Sequence, residues 1–169
     1  MSRIFGFPNP VNELAARTVA AGVLALTILT ILLSTAAGTG WLWLTAVLAY
    51  GFVARVLTGP RLSPLGQFAT RVAAPRLGPA RLVPGPPKRF AQAMGATMTL
   101  VAVVLHFGFR WDTAALVVLG LIVIAATLES AFGYCIGCKV FAGLIRIGVV
   151  PESVCLECAD ITIRAPQAA

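Results

Sequence analysis

Charged side chains are scarce in this chain. They make up 11% of its 169 residues, where soluble domains carry roughly 25%. Acids are the rarer sign, with 6 Asp and Glu against 13 Lys and Arg and a formal net charge of +7. A basic balance can mark a nucleic-acid binder, but here the positives flank apolar runs and carry no aromatic interleaving, so nucleic acid is excluded in favour of a membrane. No phosphate-binding loop, serine triad or metal-binding carboxylate cluster is present. The single histidine, His106, has no acidic or cysteine partner in its own segment and reads as an interface residue rather than a ligand. The first 134 residues hold no cysteine. The start, MSRIFGFPNPVNELAAR, sets two prolines and a glutamate before the first apolar run, so no cleavable signal peptide is expected.

What the chain does have is apolar length. It is 59% hydrophobic with a mean hydropathy of +0.91. Four runs stand out, at about 18–37, 41–57, 91–109 and 113–132. Each approaches the roughly 20 residues that a helix needs to cross a bilayer core. Lipid cannot satisfy open backbone groups, so helix is the expected form. The fold class is therefore an all-α membrane protein of four transmembrane helices in two hairpins. Residues 1–132 make the transmembrane region and 133–169 a cysteine tail. Gly38-Thr39-Gly40 closes the first hairpin and Arg110-Trp111-Asp112 the second; Trp41, Trp43 and Trp111 fall at run ends, where amphipathic rings favour the interface. Gly22, Gly95 and Gly120 are expected to allow close helix packing.

The two hairpins are joined by a long Pro- and Arg-rich loop. Pro60, Pro64, Pro75, Pro79, Pro84, Pro86 and Pro87 rule out one continuous helix across it. A short amphipathic piece around Leu65 to Val72 is expected to lie on the membrane surface, with its apolar side chains toward lipid and Arg71 toward headgroups. Arg55, near the end of run two, is expected to snorkel to the headgroups. Glu129, near the end of run four, reads as an interfacial acid paired with a loop arginine. The positives sort to one side. Arg3, Arg17, Arg55, Arg61, Arg71, Arg76, Arg81, Lys88, Arg89, Lys139, Arg146 and Arg164 precede run one, lie by the long loop or follow run four, and only Arg110 falls opposite. The positive-inside rule then puts both termini, the long loop and the tail in the cytoplasm, in a multi-pass cell-membrane protein.

The four cysteines form two CxxC pairs, Cys135 and Cys138 in GYCIGCKVF, and Cys155 and Cys158 in SVCLECAD. In a reducing cytoplasm permanent disulfides are not expected, which leaves a metal site, a cycling disulfide or persulfide chemistry. Gly133 reads as a helix terminator, and the stretch from Cys138 to about Ile147 as a short helix ended by Gly148 and Pro151. Cys135 then sits at or just before a helix N-terminus, beside Lys139. Both features lower a thiol pKa, and the thiolate is the reactive form. Glu152, Glu157 and Asp160 surround the second pair and act in the opposite sense. Cys135 is thus the expected nucleophile. Sixteen residues separate Cys138 from Cys155, within the window for a four-cysteine zinc site. Spacing alone favours Cys135, Cys138, Cys155 and Cys158 as ligands of a structural zinc, although the apolar, helical spacer is unlike the strands that usually join zinc knuckles.

The stretches FGFPNPVNELAARTVAAG, YGFVARVLTGPRLSPLGQFATR, VPGPPKRFAQ and LESAFGYCIGCKVF, with the closing VPESVCLEC, resemble the actinobacterial membrane proteins of the domain-of-unknown-function family numbered 4395 (DUF4395). The resemblance covers nearly the whole chain, and all four cysteines are in place. It implies association with thioredoxin-like and rhodanese-type sulfurtransferase partners. That context moves thiol-disulfide or persulfide relay ahead of zinc, with all four cysteines as the working residues. Cys135 would attack or accept sulfur, Cys138 would resolve it, and Cys155 and Cys158 would form a second couple. A non-enzymatic membrane protein stapled by zinc is the alternative, and a small sulfur-compound transporter a further one.

Overall fold

The computed structural model describes residues 7–151 and residue 154. Cys155 and Cys158, with Glu152, Glu157 and Asp160, lie outside the described residues. A two-residue strand, β1 (Val11–Asn12), leads into helix α1 (Glu13–Ala36). Asn12 caps that helix, its side chain accepting from the Leu14 N–H at 3.0 Å, which satisfies one of the donors left open at a helix start. A 3₁₀ turn at Thr39–Trp43 continues directly into α2 (Leu44–Thr58). Two short helices follow, α3 (Pro64–Phe68) and α4 (Ala74–Leu77), joined by a π-helical turn at Ala69–Ala73. Strand β2 (Leu82–Val83) pairs antiparallel with β1, Val11 opposite Val83. Helices α5 (Gly85–Phe107), α6 (Asp112–Phe132) and α7 (Ile136–Arg146) complete the described elements.

Four of these segments are long and apolar enough to cross a membrane: Glu13–Ala36, Thr39–Thr58, Gly85–Phe107 and Asp112–Phe132. The shortest has 20 residues, which at about 1.5 Å per residue gives ~30 Å, the thickness of a bilayer core. Their outward faces carry Leu32, Tyr50, Val104, Val117 and Ile124, all well exposed. A soluble bundle would place polar residues there; here apolar side chains suit lipid.

The helices pack in the order α1–α6–α5–α2. The most extensive contacts are α2 with α5 and α1 with α6, and α1 meets α2 mainly near their shared turn. The two hairpins thus meet through α1 with α6 and α2 with α5. The core is built from small and branched residues, including Ala15, Val19, Val23, Leu48, Leu119 and Ile122. Most of its buried hydroxyls are satisfied locally, whereas those of Ser34 and Thr45 have no partner among the described residues. Thr27, Thr30, Thr58 and Thr99 donate to carbonyls one turn earlier on their own helices, at 2.7–2.9 Å.

Several expectations change. Helix α5 begins at Gly85, six residues before Ala91, because Pro86 and Pro87 fall in its first turn, where proline costs no hydrogen bond. Lys88 and Arg89 therefore stand on a helix rather than in a loop. The segment around Leu65 to Val72 does not present its leucine to lipid. Leu65 packs into the notch at Gly22, where an added Cβ would lie 2.5 Å from its Cδ1, and Ala69 and Ala74 are fully buried. Phe68 and Arg71 do stay exposed. Gly95 receives the Phe52 ring, with 2.3 Å from an added Cβ to Cε1, whereas Gly120 faces nothing within 4 Å and takes part in no close packing.

Candidate functional site

The described cysteines stand at the start of α7. Helix α6 ends at Gly133, which takes the left-handed conformation (φ 68°, ψ 12°) that only glycine adopts without cost. Arg17 of α1 closes that end, its guanidinium donating to the carbonyls of Ser130 at 3.2 and 3.1 Å and of Ala131 at 2.8 Å. A cation at a helix C-terminus matches the dipole there. After Tyr134 the chain turns into α7 with Cys135 as its N-cap, in extended conformation (φ −88°, ψ 102°). The Cys135 Sγ accepts from the Cys138 backbone N–H at 3.2 Å, and the two cysteines are disulfide-bonded with Cα atoms 5.2 Å apart.

Cys135 is buried and Cys138 half-buried. The disulfide is held against the bundle by two contacts of α7. Gly137 meets Ala91 of α5, where a Cβ would come within 2.6 Å, and Phe141 stacks on Phe90 with ring centroids 5.5 Å apart. Lys139 is exposed and lies over the Tyr134 ring, 5.7 Å from its centroid. After α7, Gly148 (φ 76°) ends the helix in a Schellman pattern, Gly148 N–H bonding Ile145 and Val149 N–H bonding Leu144 at 3.0 Å each. Val154 then lines a cleft shared with Phe90, Ala93 and Phe141.

Against the turn between the cysteines lies an apolar cavity of about 280 Å³, lined by α1, α2, α5, α6 and the start of α7. Ile136 and Gly137, the two residues between the cysteines, form part of its wall, together with Glu129 and Gln92. Glu129 pairs with Lys88 Nζ at 2.7 Å, both side chains largely buried (17% and 11% exposed). The partner is thus a lysine on α5 rather than a loop arginine. Gln92 offers its carboxamide oxygen to Arg55 Nε at 2.8 Å.

Arg55 does not snorkel. It is 5% exposed, with Nη1 donating to the Ser63 hydroxyl at 3.1 Å, its guanidinium 4.6 Å from the Phe52 ring centroid and Nη2 without an acceptor among the described residues. It fixes the α2–α3 turn to α5. His106 likewise gains an acidic partner, Asp112 Oδ1, 2.6 Å from its Nδ1 across the α5–α6 turn. Reading segments one at a time missed that pair, although His106 and Asp112 are only six residues apart.

No group of three or more His, Cys, Asp or Glu side chains that could hold a metal ion occurs among the described residues. A four-cysteine zinc site would need Cys155 and Cys158 as well as the thiolates of Cys135 and Cys138. No curated protein and no solved structure shows a significant match to this chain. The model of one family, described as a domain of unknown function, matches residues 11–146. The match takes in Cys135 and Cys138 and stops before the second pair, so it is shorter than the resemblance drawn over nearly the whole chain. With all seven helices inside the matched residues, the chain belongs to the DUF4395 family.

Proposed function

We propose that this protein is a membrane-bound thiol-disulfide or persulfide relay, with its termini, its long loop and its cysteines on the cytoplasmic face. The observation that carries the reading is the Cys135–Cys138 disulfide at the N-cap of α7. A helix N-terminus leaves backbone N–H groups open and a partial positive charge, both of which favour a thiolate over a thiol. Cys135 is the sulfur that sits there.

In the relay, the Cys135 thiolate attacks a disulfide sulfur of a soluble thioredoxin-like partner and forms a mixed disulfide. The Cys138 thiolate then attacks Cys135 Sγ, which expels the partner's thiol and leaves the Cys135–Cys138 bond. Cys155 and Cys158 take up that oxidation by the same exchange and regenerate the first dithiol. With a rhodanese-type partner, Cys135 would accept sulfane sulfur as a persulfide, and attack of the Cys138 thiolate on Cys135 Sγ would expel the outer sulfur as hydrosulfide and form the Cys135–Cys138 bond. Chain length supports the second exchange, since Val154 lines a cleft with Phe141 and Phe90 and Cys155 is the next residue in sequence, one Cα step of about 3.8 Å on. The charge pattern supports the orientation. Arg17, Arg55, Lys88 and Lys139 gather toward the α7 end, and Arg110 alone marks the opposite turn.

The test is a free-thiol count on the purified full chain, with metal content measured alongside. Reversible oxidation of Cys135 and Cys138, reduced by a thioredoxin and with faster iodoacetamide alkylation at Cys135 than at Cys155, is the expected result. One zinc per chain, lost when any of the four cysteines is replaced by serine, would overturn the relay and establish the zinc staple.

A further inference from the structure

We infer that the cavity lined by Ile136 and Gly137 is a site for a lipid-soluble quinone, which exchanges two electrons with the Cys135–Cys138 couple. The inference rests on the redox role proposed above for that couple. Its basis is a juxtaposition that the sequence does not show. The two residues between the cysteines, Ile136 and Gly137, line a cavity of about 280 Å³ inside the bundle. That volume is close to the lower end of small-molecule sites, roughly 300 Å³.

The walls suit such a ligand from end to end. Val23, Phe52 and Met98 offer apolar contact in the interior. Leu121 and Ile124 also line the cavity while 51% and 56% exposed on the outer face of α6. The space is therefore continuous with the apolar, lipid-facing surface, and an isoprenoid tail can leave there into the bilayer. At the α7 end the wall changes character, with Gln92 and Glu129 in it. The Gln92 oxygen is taken by Arg55, and its amide nitrogen, which that bond does not use, is a donor for a quinone carbonyl. The Glu129 carboxylate, held at Oε1 by Lys88, is an acceptor for the hydroxyl of the reduced ring. A lipid acyl chain would fill the apolar walls but would use neither the Gln92 amide nitrogen nor the second Glu129 oxygen.

The chemistry balances. The reduced couple carries two thiols. Two electrons and two protons pass to the quinone, its two carbonyl oxygens become hydroxyls, and the Cys135–Cys138 bond forms. The products are one disulfide and one hydroquinone. Cys135 does not itself line the cavity; it is buried and directly precedes the lining residue Ile136.

The experiment uses the full-length chain in lipid nanodiscs with Cys155→Ser and Cys158→Ser, so that only the first couple reports. The protein is reduced, freed of reductant and mixed anaerobically with a short-chain ubiquinone. Hydroquinone formation is read by ultraviolet absorbance and free thiols by maleimide gel shift. One hydroquinone per chain is expected, with loss of both thiols. Ala125→Phe, which fills the cavity from a half-buried position on α6, is expected to slow the reaction about tenfold or more, and Val117→Phe, on the lipid face outside the cavity, to leave the rate unchanged. Each variant is also oxidised with a thioredoxin disulfide, which needs no cavity. Exchange with thioredoxin but no hydroquinone, or equal rates for Ala125→Phe and Val117→Phe, overturns the quinone site and leaves the relay standing. Failure of both reactions overturns the relay and this inference with it.

Discussion

Breaking the Lys88–Glu129 pair tests how the bundle tolerates charge beside its candidate site. The two side chains are 11% and 17% exposed, with Nζ and Oε1 2.7 Å apart. At an effective dielectric of about 20, that separation gives an attraction of roughly 6 kcal/mol. Desolvation of the two ions costs several kcal/mol each, so the pair as a whole stands near break-even against an apolar pair. Removing one member is different, because the survivor keeps its burial and loses its partner. Lys88→Met and Glu129→Leu should each destabilise the protein by about 3–5 kcal/mol, whereas the double variant should recover most of that loss. Equilibrium unfolding in mixed micelles, followed by tryptophan fluorescence, measures all four corners of the cycle. Single-variant losses under about 0.5 kcal/mol, or a double variant that simply sums the two, would refute the reasoning, since distant or solvated charges add within roughly that scatter.

Gly95→Ala drives a methyl into the Phe52 ring, 2.3 Å from Cε1, and should cost about 1–3 kcal/mol by overpacking, with Phe52→Leu restoring part of it in the same unfolding assay. Gly120→Ala meets nothing within 4 Å and should stabilise by about 0.4–1 kcal/mol through the unfolded chain; a loss there would count against an open environment. Arg17→Gln removes the three donations to Ser130 and Ala131 and should cost about 1–2 kcal/mol, read as faster amide exchange at Gly133 and Tyr134 with the α5 core unchanged. Green fluorescent protein fused after Ala169 should fluoresce and alkaline phosphatase there stay inactive, with the reverse for phosphatase inserted at Arg110; active phosphatase at the C-terminus would invert the proposed topology.

The spanning helices were legible because lipid imposes a crude requirement: about 20 apolar residues in a row. Their ends were less so. Proline and charge both read as loop, yet Pro86, Pro87, Lys88 and Arg89 form the first turn of α5, where proline is tolerated and a cation can reach across to α6. At α1 the signal was present in Asn12, a good N-cap, but the polar start ELAAR lowered the hydropathy below that of the run behind it. The turn at Gly133 and the helix beginning at Cys135 followed from local chemistry, since glycine in the left-handed region and a capping side chain act within a few residues. The long-range pairs did not. Arg55 with Gln92 is 37 residues apart and Lys88 with Glu129 is 41, and no pattern along one helix announces which neighbour will face it. Read alone, Arg55 looked like a headgroup contact and Glu129 like the partner of a loop arginine. Only the packing order α1–α6–α5–α2 turns them inward.

The second cysteine pair depends on the same distinction between sequence and space. Helix α7 has 11 residues, so its axis carries the chain about 16 Å away from Cys135. From Ile147 to Cys155 are eight residues, which span at most roughly 26–29 Å when extended. The return path is therefore longer than the helix it must retrace, provided that the chain reverses early. Gly148, in its left-handed conformation, turns the chain off the helix axis, and Val154 lines a cleft with Phe141, about 4.5 Å of helical rise beyond Cys138. A β-branched residue at position 148 would resist the positive φ and direct the tail onward from the bundle. The proposed exchange between the two CxxC pairs, like the zinc alternative, therefore leans on the glycine that ends α7.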